Sequence, residues 1–563
     1  MQSTYVTLGK RRVKDEYTDE HCRRLMQWYT PDGEYIRGCY PADTRERMWA
    51  CLSLLAHPDP RYIPLAEQII LRTPIDHNHF QPFAAVEVLL RFRQKLSAPA
   101  VAYLTEIVSA HLLNSMEVRF AGPGVNNFTC MSTWFLLAAA QALDGYRWEH
   151  PLASIPEVYS KERLIEIGRN ALHALAYCAE HQPLISEWNA PGYTAISIYC
   201  LAKIVELIDD PVAKEVALQV EMTIWRQMLQ LYHPALDVCC GPYARAYRHE
   251  MLGQFTQMRL LLAYTGLSKD RSLLTIFDQS QHGRQSAYDP DIAFNWAGIA
   301  WIIAGPCHVP ADAIDELRNR TYPHRFTAPI SWNPFGAITP EGKYLSVQGN
   351  ALPGGAGEIV QVQHPNWAIG YRTQATLGHS FPLHLHYALK TKVQSLRDNR
   401  HVTAAVYFHN APTEWIPGPD GTPMESTNFN KEGDVRVREA GDLLAFTARP
   451  FHQFAPIPSN EQSVNTFLPI HFTPLQWVEV NGKRYRGEEI RLHGRTAVCR
   501  VRDAGFEYEI TYAFPKAVDI RLYQWGNFLR FAAFFYSGET RNFTADELKK
   551  LKMQGSVRIV KTP

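Results

Sequence analysis

The sequence predicts two large domains of opposite secondary structure: an N-terminal α/α toroid over residues 1–325 and a C-terminal antiparallel β-sandwich over residues 326–563. Three observations lead there. Apolar residues recur at helical spacing through about 300 residues with no strand pattern between them. A stretch rich in proline and glycine, from about His324 to Gly357, follows and marks the boundary. Beyond it the period falls to two, so that Phe506, Tyr508, Ile510, Tyr512 and Phe514 alternate with Glu507, Glu509, Thr511 and Ala513.

Length and composition set the frame. At 563 residues the chain exceeds one typical domain and is long enough to bury a sizeable core. Its hydrophobic share of 46% and charged share of 20% are those of a globular protein, and a net charge of only +1 argues against nucleic acid or an anionic membrane as partner. The opening MQSTYVTLGKRRVKDEYTDEH has no apolar core of a leader, and no stretch approaches the length of a membrane span. Ten cysteines at irregular spacing then point to reduced thiols and a cytoplasmic setting. Thirteen tryptophans and 27 tyrosines suit the stacking of sugars, whose C–H faces are apolar, and equally suit the core of a large β-domain. Nothing in the sequence fixes an oligomeric state.

Taken in order, the first helix begins at the cap Asp43-Thr44-Arg45-Glu46, with Met48, Trp49, Leu52 and Leu55 following at helical spacing. Further helical patterns run over about Tyr62 to Leu71, Gln81 to Gln94, Pro99 to Leu113, Phe128 to Leu143, Glu162 to Ala179, Gly192 to Ile208, Pro211 to Leu231, Ala246 to Ala263, Lys269 to Phe277, Asp291 to Ile303 and Ala311 to Arg318. Gly145 and Gly266 read as stops, and Pro211 suits a first turn. No repeat of fixed period appears, which disfavours a short-motif solenoid. Paired helices of similar length suit a closed ring of hairpins, although an irregular helical array has the same periodicity. Strand patterns then cover about Glu358 to Gln363, Trp367 to Ala375, Leu383 to Leu389, Val402 to His409, Leu443 to Ala448, Ala497 to Arg502, Phe506 to Phe514, Ile520 to Trp525 and Phe528 to Phe535. A short helix at Ala545 to Leu551 and a strand at Ser556 to Lys561 close the chain.

The chemistry gathers in Leu231 to Leu252, LYHPALDVCCGPYARAYRHEML. Tyr243, Tyr247, Arg245, Arg248, His249 and Glu250 follow a Cys-Gly-Pro break and lead into a helical pattern, a common placement for working residues. A helix start with solvated charges is the ordinary alternative. Two other loop-to-helix entries are alike: Asn126 and Asn127 after Gly122-Pro-Gly, and Glu187, Trp188, Asn189 and Tyr193 in EWNAPGY. Either asparagine could simply cap a helix, and Glu187 could simply complement a helix dipole. In a toroid, however, the loops before successive inner helices meet, and these residues would then share one cleft. Asp76-His77-Asn78-His79 is a further turn, read as solvated.

At these residues the chain resembles a family group. A helical toroid followed by a β-sandwich, with Asn, His, Tyr and Arg in the cleft, looks like the polysaccharide lyases of the heparinase II/III, alginate lyase and hyaluronate lyase type. More narrowly, EWNAPGY and GPYARAY are similar to EYNSPTY-like and GPHSRAY-like motifs of heparinase II/III-like proteins, from which Ala190, Gly192 and Tyr243 depart. The resemblance implies β-elimination on oligo- or polysaccharides containing uronic acid, with an oligosaccharide as the partner. It implies an amide role for Asn127 or Asn189 and a proton-transfer role for Tyr247 or Tyr193, with His249 and Glu187 also in the catalytic set. Asn126, Trp188, Tyr243, Arg245 and Arg248 would bind substrate. Of these, Tyr247 is favoured as base because two arginines lie within two positions of it.

Two rival readings stand beside this one. A glycoside hydrolase needs two carboxyl groups, which Glu187 and Glu250 would supply, with Asp291 or Asp76 in reserve. A non-catalytic glycan-binding protein would use the aromatic cleft only to hold sugar. No cofactor is predicted. His384 and His386 share one strand face and would chelate a structural zinc if His379, His401 or His409 came near, and calcium is the other metal considered. The pair Cys239 and Cys240 resembles the cysteine-rich zinc site of toroidal β-L-arabinofuranosidases, which implies a weaker zinc set with Glu187 as partner.

Overall fold

The structure is a computed structural model of the whole chain. It describes all residues except 1–3, 10–18, 20–21, 24, 36–43, 77–79, 118–125, 144–147, 150–157, 182–186, 244–256, 270–304, 331–335, 339–343, 347–356, 374–381, 395–397, 410–414, 418–422, 426–432, 452–454, 471–472 and 526–527. The chain divides into two compact units. One comprises residues 1–187, 192–229 and 255–318, and the other comprises 188–191, 230–254 and 319–563.

The first unit is helical. Its described helices are α1 (Thr44–Ala56), α2 (Ile63–Arg72), α3 (Gln81–Phe92), α4 (Ala98–Glu117), α5 (Asn126–Ala142), α6 (Lys161–His181), α7 (Tyr193–Leu207), α8 (Pro211–Leu231), α9 (Gln257–Thr265) and α10 (Ala311–Arg318). Burial sorts them into layers. Helices α3 and α7 are buried almost all round, including every residue from Thr194 to Ile204, whereas α6 shows an apolar stripe and an exposed face. Packing follows the same division: α1 meets α3, α3 meets α5, α5 meets α7 and α7 meets α9, with α2, α4 and α6 placed outside them. Alternate helices therefore form an inner row, which is the arrangement of helical hairpins that the sequence predicts. Charge inside this row is paired: Glu87 takes Lys203 and Arg91, the latter at 2.8 Å.

The expectation of a strand-free helical half needs correction. Tyr5–Leu8 pairs with Cys307–Pro310, Trp148–Glu149 with Val158–Tyr159, and Tyr232–His233 with Val238–Cys239. These ribbons are two to four residues long, too short for a two-residue period to register in sequence.

The second unit holds a fourteen-stranded sheet, antiparallel at every pairing. Its strands are β1 (His324–Ile330), β2 (Gly357–His364), β3 (Trp367–Arg372), β4 (Leu383–Ala388), β5 (Asn399–His409), β6 (Gly433–Ala440), β7 (Leu443–Pro450), β8 (Ile457–Pro469), β9 (Trp477–Val480), β10 (Lys483–Arg484), β11 (Ile490–Asp503), β12 (Phe506–Trp525), β13 (Phe528–Phe543) and β14 (Met553–Lys561), with the short helix α11 (Ala545–Lys550) between β13 and β14 in sequence. The order is β6-β7-β14-β12-β13-β8-β5-β4-β3-β2-β1, with β11 beside β12 and β9 joining β11 to β10. Strands β3 and β5 also pack on β6 without being hydrogen-bonded to it, so the sheet folds over itself. One apolar core, running from Val360, Leu385 and Val402 to Val437, Phe446 and Ile510, fills the interior of this sandwich.

Two strands read separately in sequence are one. Residues 507–513 of β12 pair with β14, and 519–525 pair with β13. Pro515, which has no N–H to donate, lies where the strand changes partner.

Candidate functional site

Strands β2 to β5 present two unlike faces. Their registers place Val360, Tyr371, Leu385 and Val402 on the core side, and Gln361, Gly370, His384, His386 and His401 on the other. The second face is polar yet buried: Gln361, His384 and His386 are at most 1% exposed. What buries it within this unit is the chain from Gln230 to Tyr243 together with Trp188 to Pro191.

The 230–243 segment is held residue by residue. The ribbon Tyr232–His233/Val238–Cys239 turns through Asp237, whose φ is +57°, and its N–H bonds the His233 carbonyl at 2.8 Å. His233 organises the turn. Its Nδ1 accepts from Ala235 and Leu236 N–H at 3.2 Å each, while its Nε2–H donates to the His364 carbonyl at 2.7 Å. Burial pushes the His233 pKa down to about 4. Asn399 donates to Leu236 O at 2.9 Å, and Gln361 donates to Cys240 O at 2.6 Å and Gly241 O at 3.0 Å.

Gly241 lies directly on the strands. Its N–H donates to His386 Nε2 at 3.1 Å, and a methyl group at Gly370 would overlap the Gly241 carbonyl and come within 2.7 Å of Pro242 Cδ. Only glycine at 370 lets the loop approach this closely. Tyr243 follows, its hydroxyl donating to Cys239 O at 2.8 Å and its ring set edge-on to His384 at 4.7 Å and to His401 at 5.6 Å.

Asn189 of EWNAPGY is the second clamp. Its Nδ2 donates to Cys240 O and Pro242 O, both at 2.8 Å, which commits both amide hydrogens. Its φ of +48° is one that asparagine tolerates better than most residues. Asn189 therefore positions the loop. Trp188 beside it is 1% exposed, with the Arg372 guanidinium over its ring at 5.4 Å.

His384, His386 and His401 offer three nitrogens within 4.8 Å of one another. His384 Nδ1 and His401 Nε2 share a hydrogen bond of 2.9 Å. Three imidazoles suit zinc, whereas calcium takes oxygens. His379 lies outside the described residues and the side chain of His409 is not described. Cys239 and Cys240 belong to no metal-ligating cluster among the described residues.

The other sequence-derived candidates fall in the helical unit or outside the description. In the helical unit, Glu187 is buried and accepts the Asn127 N–H at 2.8 Å, so it caps the start of α5 rather than its own helix. The Asn127 side chain is fully buried with neither amide atom hydrogen-bonded. Asn126 begins α5, its side chain not described, and Tyr193 begins α7, half-buried. Asp76 accepts from Thr44 Oγ1 at 2.6 Å. Arg245, Tyr247, Arg248, His249, Glu250, His77, His79 and Asp291 lie outside the described residues.

Arg372, Gln361 and Asn399 did not figure among the candidates. The alternation in EIVQVQH marks Gln361 and Gln363 as facing away from the core. It does not say that a distant loop covers them.

Comparison with known proteins gives three results. A family model described as Domain of unknown function (DUF8769) matches residues 157–296. No curated protein matches. The structure is similar to heparinase III, at a TM-score of 0.41 and 9% identity, covering 99% of this chain and 88% of that one. It is also similar to chondroitinase AC lyase, solved in oligosaccharide complexes, at a TM-score of 0.38 and 12% identity, covering 98% and 82%.

Proposed function

We propose that the chain is a carbohydrate-active enzyme that cleaves uronic-acid-containing oligosaccharides by β-elimination. The observation that supports this reading is the meeting of EWNAPGY and GPYARAY: Asn189 of the first clamps Cys240 and Pro242 at the start of the second, and Tyr243 is thereby set against His384 and His401.

Elimination suits these residue types. The proton at C5 of a uronide becomes acidic enough to remove only when the neighbouring carboxylate is neutralised, and the charge passes into an enolate that donors must stabilise. Imidazole, amide and guanidinium groups supply such donors. Tyr247, four positions beyond Tyr243, is assigned on the sequence argument as base towards C5 and then acid towards the leaving oxygen. Such help is worth about a hundred- to ten-thousandfold in rate. Zinc, if held by His384, His386 and His401, would supply positive charge beside the same loop.

The hydrolase reading is disfavoured by Glu187, whose carboxylate is occupied in capping α5. The test is a screen of the purified full chain against oligoglucuronides, oligogalacturonides and oligomannuronides, read by ultraviolet absorbance and mass. The reading requires products with a conjugated double bond. No cleavage of any of them, or products heavier by one water, would overturn it.

A further inference from the structure

The polar face of β2 to β5 contains a cation with no counter-charge among the described residues. Arg372 shares that face with Gly370, two residues away on β3, and is 2% exposed. Its main chain is satisfied, N–H to Pro382 O at 3.0 Å. Its guanidinium is not: among the described residues Nε and Nη1 are buried without a hydrogen-bond partner, and no carboxylate acts on it. The contact it does make is with the face of Trp188, its Cζ 5.4 Å from the ring centroid. Burial alone lowers its pKa to about 9.

An arginine buried with its charge unmatched is costly, and such groups are normally paired. The neighbouring groups sharpen the point. Trp188 Nε1 is also buried and unpartnered, so three donor nitrogens stand without an acceptor among the described residues. The next residue, Asn189, carries the reverse, an Oδ1 that is buried without a donor. The guanidinium carbon lies over the indole at 5.4 Å, and a guanidinium's N–H fork suits a planar, two-oxygen acceptor.

We propose that Arg372 and Trp188 form a binding site for the carboxylate of a sugar acid, with Asn189 Oδ1 taking an adjacent sugar hydroxyl. This deepens the reading given above and rests on it for the choice of a sugar. It names the group that recognises the acid and assigns that role to a strand residue of the second unit. Arg372 is here a binding residue and transfers no proton.

Binding without turnover tests it. Glucuronate and glucose differ only in carboxylate against hydroxymethyl, and they are titrated into the full chain, followed by saturation-transfer NMR and by thermal midpoint. The wild type is expected to bind glucuronate at least about tenfold more tightly than glucose, as charge-assisted hydrogen bonds imply. Arg372→Met should abolish that preference while its own midpoint, without ligand, stays level or rises, because an unmatched charge has been removed. Arg372→Lys, which keeps the charge and loses the fork, should retain part of it, and it serves if the Met variant does not fold. Equal binding of both sugars by the wild type overturns the proposal, as does a preference that survives Arg372→Met. Inorganic sulfate binding as tightly as glucuronate overturns the carboxylate assignment. Because no cleavage is read, failure of the lyase reading and failure of this site are separate results.

Discussion

Acid should loosen the loop that carries the site, and His233 sets where. The ribbon turn depends on the neutral imidazole, because Nδ1 must accept from Ala235 and Leu236 while Nε2–H donates to His364 O. The His233 pKa falls from 6.5 to about 4 in the fold. A histidine with a depressed folded pKa leaves the unfolded or opened state binding the proton first. Its contribution to stability is thus intact above about pH 6.5, declines as pH falls from there towards about 4, and changes no further below that. At about 1.4 kcal/mol per unit, the full loss is about 3 kcal/mol. Hydrogen exchange at the Leu236 amide reads this opening locally, which avoids assuming that a two-unit chain unfolds in one step. The reference is His233→Asn, whose side-chain oxygen still accepts at the turn and does not titrate. Relative to it, wild-type protection should fall roughly a hundredfold between about pH 7.5 and about pH 4.5. Protection that runs parallel in the two proteins over this range would refute the role given to His233.

Other outcomes follow from the same geometry. Asn189→Ala removes two hydrogen bonds and puts a side chain with a strong bias against it at φ +48°, so the Tyr243 loop should open about 3 kcal/mol more easily, against about 2 kcal/mol for Asn189→Gly; exchange at Gly241 measures both, and equal protection in wild type and Ala variant would contradict the clamp. Elemental analysis of protein purified without chelator should find about one zinc per chain, and His401→Gln should lose it; the same metal content in both would exclude the three-histidine site. Tyr247→Phe should cut turnover at least about a hundredfold with the fold intact, and near-full turnover would move the base role to Tyr193 or Tyr243.

Much of the fold was legible because burial leaves a period. Pro211–Leu231 and Ala311–Arg318 are found at the predicted bounds, and β2, β3, β4 and β13 begin within a residue of expectation. Strand β8 was missed because Ser459, Gln462, Ser463, Asn465 and Thr466 are buried polar residues, several of them gathered around Arg530, and no apolar alternation survives. The site was legible in part. Unusual residue types flagged EWNAPGY and GPYARAY, and strand periodicity put His384 and His386 on one face. That His401 would be the third histidine, that Asn189 would spend its amide on a backbone 51 residues on, and that Arg372 would be buried without a hydrogen-bond partner for Nε and Nη1 among the described residues are facts of long-range packing. No local pattern encodes them.

Cleavage in water enriched in heavy oxygen isotope tests the central claim most directly. Elimination adds no solvent oxygen to either product, whereas hydrolysis puts one on the new reducing end and none on the new non-reducing end. With an oligouronide that the full chain degrades, the account predicts a product carrying a double bond at its new non-reducing end and unlabelled oxygen at its new reducing end. One heavy oxygen per bond broken would show a hydrolase and contradict it.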